Sequence, residues 1–300
     1  MKTDLYQRVT DRIVASLEQG VKPWEQPWAA GHTEGRIVRP LRGNGVPYQG
    51  INVLMLWSAA MEKGYTAPHW LTFKQALDLG GHVRKGEGSS PVVFASTLTR
   101  SETDAGTGEE SEQRIPYLKS YNVFNAEQVD GLPERFNAPV PVRLEPVARL
   151  AHADAFFAAT GAEIRHGGGR AFYQITDDFV QMPAIEAFRD AASYYAVLAH
   201  EVTHWTRHGS RLDRSFGRKR FGDEGYAMEE LVAELGAAFL SADLDLTPEP
   251  REDHASYIEN WLQVLKNDKR AIFTAASHAQ RASDFLSRKG ATIDDIEAAA

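Results

Sequence analysis

The sequence predicts an α+β fold of two domains. The chain has 300 residues, which is long for one compact domain and sufficient for two. Helical and strand patterns are mixed in the first half, whereas the second half is mainly helical with a small sheet. Between them, residues 131–146 contain four prolines and no hydrophobic periodicity, which is typical of a linker. We therefore predict a first domain of residues 1–135, a linker of 136–146 and a second domain of 147–300.

The first half is predicted to begin with a helix. Apolar side chains recur at helical spacing over residues 4–19, and Gly20 ends the pattern. Residues 101–113 are acidic, contain glycine and lack periodicity, so we expect a mobile loop that joins two paired strands. In order, this half is predicted to contain helices over residues 4–19, 51–62 and 72–79 and strands over 91–98 and 115–124.

The second half is predicted to combine helices with a short strand pair. The pair is expected to flank the turn at residues 166–169, and its second strand runs over 171–183 until Pro183 ends it. By analogy with peptidase clefts, we expect the edge of this second strand to accept an extended peptide. Helices are predicted over residues 147–160, 184–208, 226–240, 253–266 and 271–289.

The absence of cysteine restricts the possible chemistry. With no cysteine in the chain, disulfides, thiolate nucleophiles and cysteine-ligated zinc or iron–sulfur sites are excluded. Any metal must therefore be held by His, Asp and Glu. The N-terminal segment lacks the layout of a signal peptide, and no apolar run approaches the roughly 20 residues that cross a bilayer. We expect a cytoplasmic protein without a membrane partner.

Residues 198–205, LAHEVTHW, contain the pattern H-E-x-x-H. Their apolar setting predicts a helix, in which one turn places His200 and His204 side by side with Cβ atoms about 5–6 Å apart. Both imidazoles can then bind one ion. Glu201 lies beside them, where it can act as a general base toward a metal-bound water. The alternative is that the two histidines only cap or pack a helix.

A catalytic zinc needs a third protein ligand, and the helix predicted over 226–240 offers three acids. Glu230 and Glu234 share a face, so Glu230 can bind the metal while Glu234 accepts the second N–H of a ligating histidine. Glu229 points about 100° away and is expected to stay in solvent, which makes it the second choice as ligand. Alternatively, all three acids lie on a solvated helix face. The donor set favours Zn2+, although Mn2+ can also be bound.

His254 and Tyr257 lie one turn apart on the next predicted helix. Either side chain can supply a proton donor or stabilise an oxyanion opposite the metal, so both are catalytic candidates. The alternative is a packing role beside Trp261.

The charge of the chain is divided unequally. The net charge is −8, yet residues 1–100 contain 12 Lys and Arg against 8 Asp and Glu. Such an asymmetry suggests that the first half meets a polyanion. Single-strand binding requires cations along the backbone and flat rings on which bases stack. The interleaved aromatic candidates are Trp24, Trp28, Tyr48, Trp57, Tyr65 and Trp70, of which Trp57 and Trp70 are also expected in the core.

Polar and basic residues of the same half are candidates for contact with single-stranded DNA. Several lie in the glycine-rich segment 39–52, where the backbone can approach phosphates closely. The alternative is an ordinary solvated surface. The candidates are Arg36, Arg39, Arg42, Asn44, Tyr48, Asn52, Lys74, Arg84 and Lys85.

Together, these motifs resemble known families. HEVTHW followed by YAMEELVAEL is similar to the glutamate-zincin metallopeptidases, in which an E-x-x-x-[DE] helix supplies the third ligand. Combined with HASYIENWLQVLKND, KGYTAPHWLTFKQA and VRKGEGS, they resemble the ArdC-type antirestriction proteins of conjugative plasmids over nearly the whole chain. The resemblance implies an N-terminal single-stranded-DNA-binding domain joined to a zincin domain, which together protect incoming DNA from restriction in a recipient cell.

We therefore predict an antirestriction protein that carries a zinc metallopeptidase of the HExxH type. Its expected partners are single-stranded DNA and a protein substrate or a component of a restriction system. The rival interpretation is a non-catalytic protein that coats single-stranded DNA and holds a structural or vestigial metal. Glu201 favours the enzyme, because a structural site has no need of a base beside its water.

Overall fold

The predicted α+β class is confirmed by the structure, a computed structural model. It describes residues 4–24, 38–103, 110–136, 146–217, 224–246 and 255–289. The helices are α1 (Leu5–Glu18), α2 (Ile51–Lys63), α3 (Phe73–Asp78), α4 (Pro146–Ala159), α5 (Ala191–Trp205), α6 (Glu224–Asp243), α7 (Ala255–Asn267) and α8 (Ala271–Ser287). The strands are β1 (Leu41–Arg42), β2 (His69–Leu71), β3 (His82–Val83), β4 (Ser90–Thr103), β5 (Glu110–Asn125), β6 (Val129–Asp130), β7 (Glu163–His166), β8 (Phe172–Gln174) and β9 (Phe179–Met182).

The N-terminal sheet is built around the long hairpin of β4 and β5. The strand order is β1-β2-β5-β4, and β3 pairs separately with β6. The hairpin continues to the pair Thr103 and Glu110, so the predicted loop is wrong for residues 101–103 and 110–113. Residues 101–103 and 110–113 are all polar, so the sequence shows no hydrophobic alternation there. Residues 104–109 lie outside the described ranges.

The C-terminal sheet has the order β7-β9-β8. β7 runs parallel to β9, and β8 pairs antiparallel with β9. The predicted pairing across residues 166–169 is therefore wrong; the hairpin turn lies between β8 and β9, where Asp178 has a positive φ of 53°. The predicted peptide-binding edge is also wrong, because β9 is the central strand and both of its edges are occupied.

An N-cap determines where α5 begins. The carboxylate of Asp190 accepts a hydrogen bond from Ser193 N at 2.7 Å, which satisfies one free donor of the first turn. The predicted helix over 184–208 is corrected accordingly: Ile185–Ala187 forms a separate 3₁₀ turn, and α5 runs over Ala191–Trp205.

The largest core is shared by the two halves of the chain. α1 packs against α7, and α2 packs against α8. Trp24 contacts Trp261 edge to face with ring centroids 5.8 Å apart, and Trp57 contacts Phe239 at 6.1 Å. Most of the predicted linker, residues 137–145, lies outside the described residues. The N-terminal elements are thus fixed against the helices that follow the H-E-x-x-H segment.

A second core surrounds α5. It joins α4, α5 and the C-terminal sheet through buried side chains such as Phe157, Val180 and Leu198. Within the described ranges, no helix combines the length and the apolar character needed to span a bilayer.

Candidate metal centre

Two packed helices, α5 and α6, bring the candidate ligands together. Their close approach depends on Gly236 of α6, because a Cβ there would lie 2.5 Å from Thr203 Cγ2 of α5. That separation is below any normal carbon–carbon contact. Thr203 in turn donates its hydroxyl to Ala199 O at 2.7 Å. The α5–α6 contact thus places the histidine turn directly against the acidic turn.

His200, His204 and Glu230 form one buried cluster. The two Nε2 atoms lie 3.2 Å apart. Glu230 presents one carboxylate oxygen to each ring, at 3.6 Å from His200 Nε2 and 3.5 Å from His204 Nε2. One ligand atom from each residue lies within 4.8 Å of the others.

The chemistry of this donor set fits a divalent cation. Two Nε2 atoms that face each other cannot both donate, so at least one lone pair must point into the cluster. Two imidazoles and one carboxylate are the ligands of a common catalytic zinc site, and they also suit other transition metals. We conclude that these three residues can hold a metal ion.

Glu229 lies in the protein interior, which corrects the prediction that it stays in solvent. Its side chain is 3% exposed. One oxygen lies 3.1 Å from His204 Nδ1, and Arg214 donates to the carboxylate through Nε at 2.8 Å and Nη2 at 2.7 Å. The prediction fails because helix geometry gives the direction of a side chain but not the partner element that covers it.

Arg214 is a functional candidate that the sequence analysis missed. Besides binding Glu229, it donates to Thr206 Oγ1 and Thr203 O, each at 3.0 Å. These contacts tie the segment after α5 to the last turn of that helix. The only sign of such a partner in the sequence was Glu229, which lies on a largely apolar helix. A carboxylate that is buried there requires a cationic partner.

Glu234 lies on the other side of the histidine pair. Its Oε1 is 3.5 Å from His200 Nδ1, and that nitrogen has no hydrogen-bond partner among the described residues. The pair is therefore close but not hydrogen-bonded, and the predicted role of Glu234 as a histidine partner stays a prediction.

The electrostatics of the cluster favour a protonated His204 beside an ionised Glu230. Burial disfavours a charged His204, but Glu230 and Glu229 outweigh this effect and raise the pKa of His204 to about 10. Burial likewise disfavours the charged form of Glu230, yet His204 and His200 hold the pKa of Glu230 far below its usual range. A proton on His204 and a metal ion would thus compete for the same nitrogen.

Glu201 is buried and directly follows the candidate ligand His200 on α5. His254 lies outside the described residues, and Tyr257 lies on α7 with its side chain outside them. Their proposed catalytic roles stay predictions.

Several DNA-binding candidates are instead structural. Arg39 is buried and donates to both carboxylate oxygens of Asp243, at 2.8 and 2.7 Å. Asn52 exchanges two hydrogen bonds with the backbone of Val93. Both polar groups therefore fix one element to another in this structure, and their predicted contact with DNA stays a prediction.

The aromatic candidates are mostly core residues as well. Tyr48 is buried and has the guanidinium of Arg42 at 5.4 Å from its ring centroid, so its face is not offered to a base. Trp24 is buried too, which corrects its expected stacking role, and Trp57 and Trp70 are in the core as the alternative interpretation held. Tyr65 is half-buried, whereas Trp28 and Arg36 lie outside the described residues.

The remaining basic and polar candidates lie on the surface. Lys74 pairs with Asp78 at 3.0 Å. Arg84 pairs with Glu87 and Asp130. The exposed candidates are Arg42, Asn44, Lys74, Arg84 and Lys85.

The sequence analysis missed an exposed aromatic face on the β4–β5 hairpin. Phe94 is 52% exposed and Tyr121 44% exposed. Lys119 lies opposite Phe94 in the strand register, and its Nζ is 5.5 Å from the Tyr121 ring centroid. Since Tyr121 pairs with Val92, two residues before Phe94, the three side chains share one face. The sequence carried no clear signal for this face, because residues 91–95 are all apolar and do not alternate.

Comparison with known protein families gives two matches along the chain. Residues 3–124 match the family described as the N-terminal domain of the anti-restriction factor ArdC. Residues 151–278 match the family described as a zincin-like metallopeptidase.

Two solved structures of the antirestriction ArdC protein from plasmid R388 resemble this fold. The metal-free structure has a TM-score of 0.80 at 51% identity and covers 95% of this chain and 97% of that one. The Mn(II)-bound structure has a TM-score of 0.78 at 48% identity, with 97% and 99% covered.

Two curated relatives extend the comparison. The chain is 43% identical to the uncharacterised protein y4eC of Sinorhizobium fredii, over 95% of this chain and 92% of that one. It is 35% identical to the DNA primase TraC of Escherichia coli over 95% of this chain but only 27% of TraC.

Proposed function

The chain belongs to the ArdC family of antirestriction proteins, and from this premise we propose that it binds incoming single-stranded DNA and hydrolyses a protein substrate at a metal centre. The observation that carries the catalytic part is the buried cluster of two imidazoles and one carboxylate, together with the buried Glu201 that directly follows His200 on α5. The substrate would be a component of the restriction system, met in the cytoplasm of the recipient cell.

His200, His204 and Glu230 would hold the ion. When bound, a divalent ion supplies Lewis acidity, which polarises a carbonyl and lowers the pKa of a coordinated water. Zn2+ suits this donor set, and the Mn(II)-bound structure of the R388 protein supports Mn2+ as an alternative.

Glu201 is proposed as the general base. It would accept a proton from the attacking water and then donate that proton to the leaving nitrogen. Its place in the H-E-x-x-H pattern is that of the base in metallopeptidases, and the cluster of ligands does not include it.

Glu229 and Glu234 are proposed to orient the two histidines. A carboxylate that accepts the Nδ1–H of an imidazole fixes the tautomer in which Nε2 carries the lone pair. Glu229 already lies 3.1 Å from His204 Nδ1, and Arg214 fixes that carboxylate in place. Glu234 is near His200 Nδ1, where a small side-chain rotation would form the matching bond.

Single-stranded DNA is proposed to cross the aromatic face of the β4–β5 hairpin, Phe94, Lys119 and Tyr121. The two exposed rings can stack on bases, and Lys119 can contact a phosphate. The exposed cations Arg42, Arg84 and Lys85 would extend the path.

The catalytic part is tested by Glu201→Gln. The variant should still bind one metal ion per chain, measured by elemental analysis, yet lose protection of an unmodified plasmid during transfer into a restricting recipient. Glu259→Gln, an exposed acid on α7, is the control and should keep full protection. Full protection by Glu201→Gln would refute the catalytic proposal and favour the DNA-coating interpretation.

The DNA part is tested by fluorescence anisotropy with a labelled single-stranded oligonucleotide. Phe94→Ala and Tyr121→Ala should each weaken binding about 5- to 150-fold, because each loses a base stack worth about 1–3 kcal/mol. Phe172→Ala, an equally exposed ring on β8, should have no effect. Unchanged affinity in both hairpin variants would remove this face from the DNA path.

A further inference from the structure

An open cavity lies where the first helix meets the last two. Its volume is about 350 Å³, within the size range of small-ligand sites. α1 contributes Tyr6, the turn between α7 and α8 contributes Arg270, and α8 contributes Phe273 and Arg281. We call it the α8 cavity. It is distinct from the cluster of His200, His204 and Glu230, none of which lines it.

The lining of the α8 cavity is cationic. Its two guanidinium groups belong to Arg270 and Arg281, and no acidic side chain lines it among the described residues. His278 adds no charge at neutral pH, because burial, together with Arg281 and Arg214, lowers the pKa of His278 to about 4. The residues that line the cavity therefore carry two positive charges, in a protein whose net charge is −8.

The same cavity has an aromatic wall. Tyr6 and Phe273 pack edge to face with ring centroids 4.7 Å apart. The Arg270 guanidinium lies 5.1 Å from the Tyr6 ring centroid, so cation and ring are held together. The hydroxyls of Thr274 and Ser277 complete the lining.

We propose that the α8 cavity binds a nucleoside phosphate, with the phosphate on Arg270 and Arg281 and the base against Tyr6 and Phe273. The combination selects this class of ligand. Guanidinium groups match phosphate oxygens in geometry and charge, and aromatic rings stack on a base of any sequence. A simple anion would leave the rings unused, and an apolar ligand would leave the guanidinium groups unneutralised.

The ligand can come from two sources, a free mononucleotide or one nucleotide unit of single-stranded DNA. The second source rests on the proposed function and would add a binding position on the C-terminal half to the path across the hairpin. Because Tyr6 belongs to the first half and Arg281 to the second, the cavity is complete only when both halves are packed together.

The first experiment titrates the full chain with thymidine monophosphate by isothermal titration calorimetry, with thymidine and inorganic phosphate as separate probes. Thymidine monophosphate should bind at least tenfold more tightly than thymidine or inorganic phosphate. Arg270→Gln/Arg281→Gln and Tyr6→Leu should each weaken it tenfold or more. The control is Arg165→Gln, which removes an exposed arginine that likewise lies over a ring, that of Phe179, at 3.7 Å; it should bind normally.

The second experiment repeats the titration with a labelled single-stranded oligonucleotide. If DNA is the source, Arg270→Gln/Arg281→Gln should flatten the log–log salt dependence of binding by about 0.7, the contribution of the one phosphate that the two arginines hold. Unchanged DNA binding with lost mononucleotide binding would identify the free nucleotide as the ligand.

The outcomes separate this proposal from the proposed function. Wild-type protein that fails to bind DNA refutes the DNA part of that function, while the mononucleotide titration still tests the cavity. The cavity proposal is overturned if thymidine monophosphate does not bind, if inorganic phosphate binds equally well, or if both cavity variants bind like the wild type. Unfolding temperatures verify that each variant is folded.

Discussion

Arg214 is the residue whose loss we expect to disturb the metal centre most without being a ligand. It is almost fully buried and binds both oxygens of Glu229, and Glu229 contacts His204. Removing one partner of a buried ion pair leaves the other charge uncompensated, which is more costly than removing both.

Arg214→Met should therefore lower the free energy of unfolding by about 3–5 kcal/mol and weaken metal binding about 10- to 100-fold. Arg214→Met/Glu229→Gln should be less destabilised than Arg214→Met, because no buried charge is left alone. Urea unfolding and metal titration measure both effects. Arg165→Gln, which breaks an exposed ion pair, should cost less than about 1 kcal/mol. If Arg214→Met also lowered the free energy of unfolding by less than about 1 kcal/mol, the proposed role of the Arg214–Glu229 ion pair would be contradicted.

His204 should make the stability of the chain depend on pH when metal is removed. The pKa of His204 is raised in the folded chain to about 10 from 6.5. The resulting stabilisation is present in full below pH 6.5 and is lost as the pH rises through 10, because the unfolded chain releases the proton at lower pH. Urea unfolding in EDTA from pH 6 to pH 10 should show this decline, and His204→Gln should show a smaller one. Stability of the wild type that rises over this range would contradict the assignment.

The ligand cluster could be predicted from the sequence because its geometry is local. His200 and His204 are one helical turn apart, and the acid helix had to supply a partner. Arg214, by contrast, is separated in sequence from both histidines and from Glu229, and only the packing of α5 on α6 brings it to them. For a related reason the sequence did not indicate the tertiary contacts of Arg39 and Asn52, since a basic or polar residue in a glycine-rich segment serves such contacts as readily as DNA.

At the scale of the secondary-structure elements, the α5–α6 contact depends on Gly236, which has no side chain. Gly236→Ala would favour the helix itself by about 1 kcal/mol, but its Cβ would overlap Thr203. Overpacking of this kind typically costs about 1–3 kcal/mol. It should also separate the histidine turn from the acidic turn.

We therefore expect Gly236→Ala to be less stable than the wild type and to bind metal more weakly. Thr203→Ala/Gly236→Ala removes the overlapping atoms and should recover much of the lost metal affinity relative to Gly236→Ala. Thermal unfolding and metal titration test this. A Gly236→Ala protein more stable than the wild type would show that helix propensity prevails and that the contact tolerates a methyl group.

The helices were easier to predict than the sheets. Thr72 caps α3, which was predicted to begin at that residue, and α1 begins one residue after Asp4, where the predicted helix begins. The order β7-β9-β8 is not local, because β7 pairs with β9, and β8 lies between these two strands in the sequence.

At the scale of the whole molecule, the shared core makes the two halves depend on each other. Trp24 and Trp57 are almost fully buried, and their ring partners Trp261 and Phe239 lie in the second half. Removing the second half would expose these rings to water, and a core of this kind supplies most of the stability of a small fold.

Residues 1–135 expressed alone should therefore not fold cooperatively. Thermal unfolding followed by near-ultraviolet circular dichroism should show no sharp transition, whereas the full chain should show one. A cooperative transition in residues 1–135 alone would contradict the mutual dependence of the two halves. It would support the domain boundary that the sequence predicts.

The position of a bound metal ion tests the central claim most directly. Crystals of the full chain grown with Zn2+ should show a single anomalous peak bound by His200, His204 and Glu230. The peak should vanish in Glu230→Ala and persist, with lower occupancy, in Glu229→Ala. A peak held by Glu229, or a site that Glu229→Ala empties while Glu230→Ala leaves it full, would contradict the account.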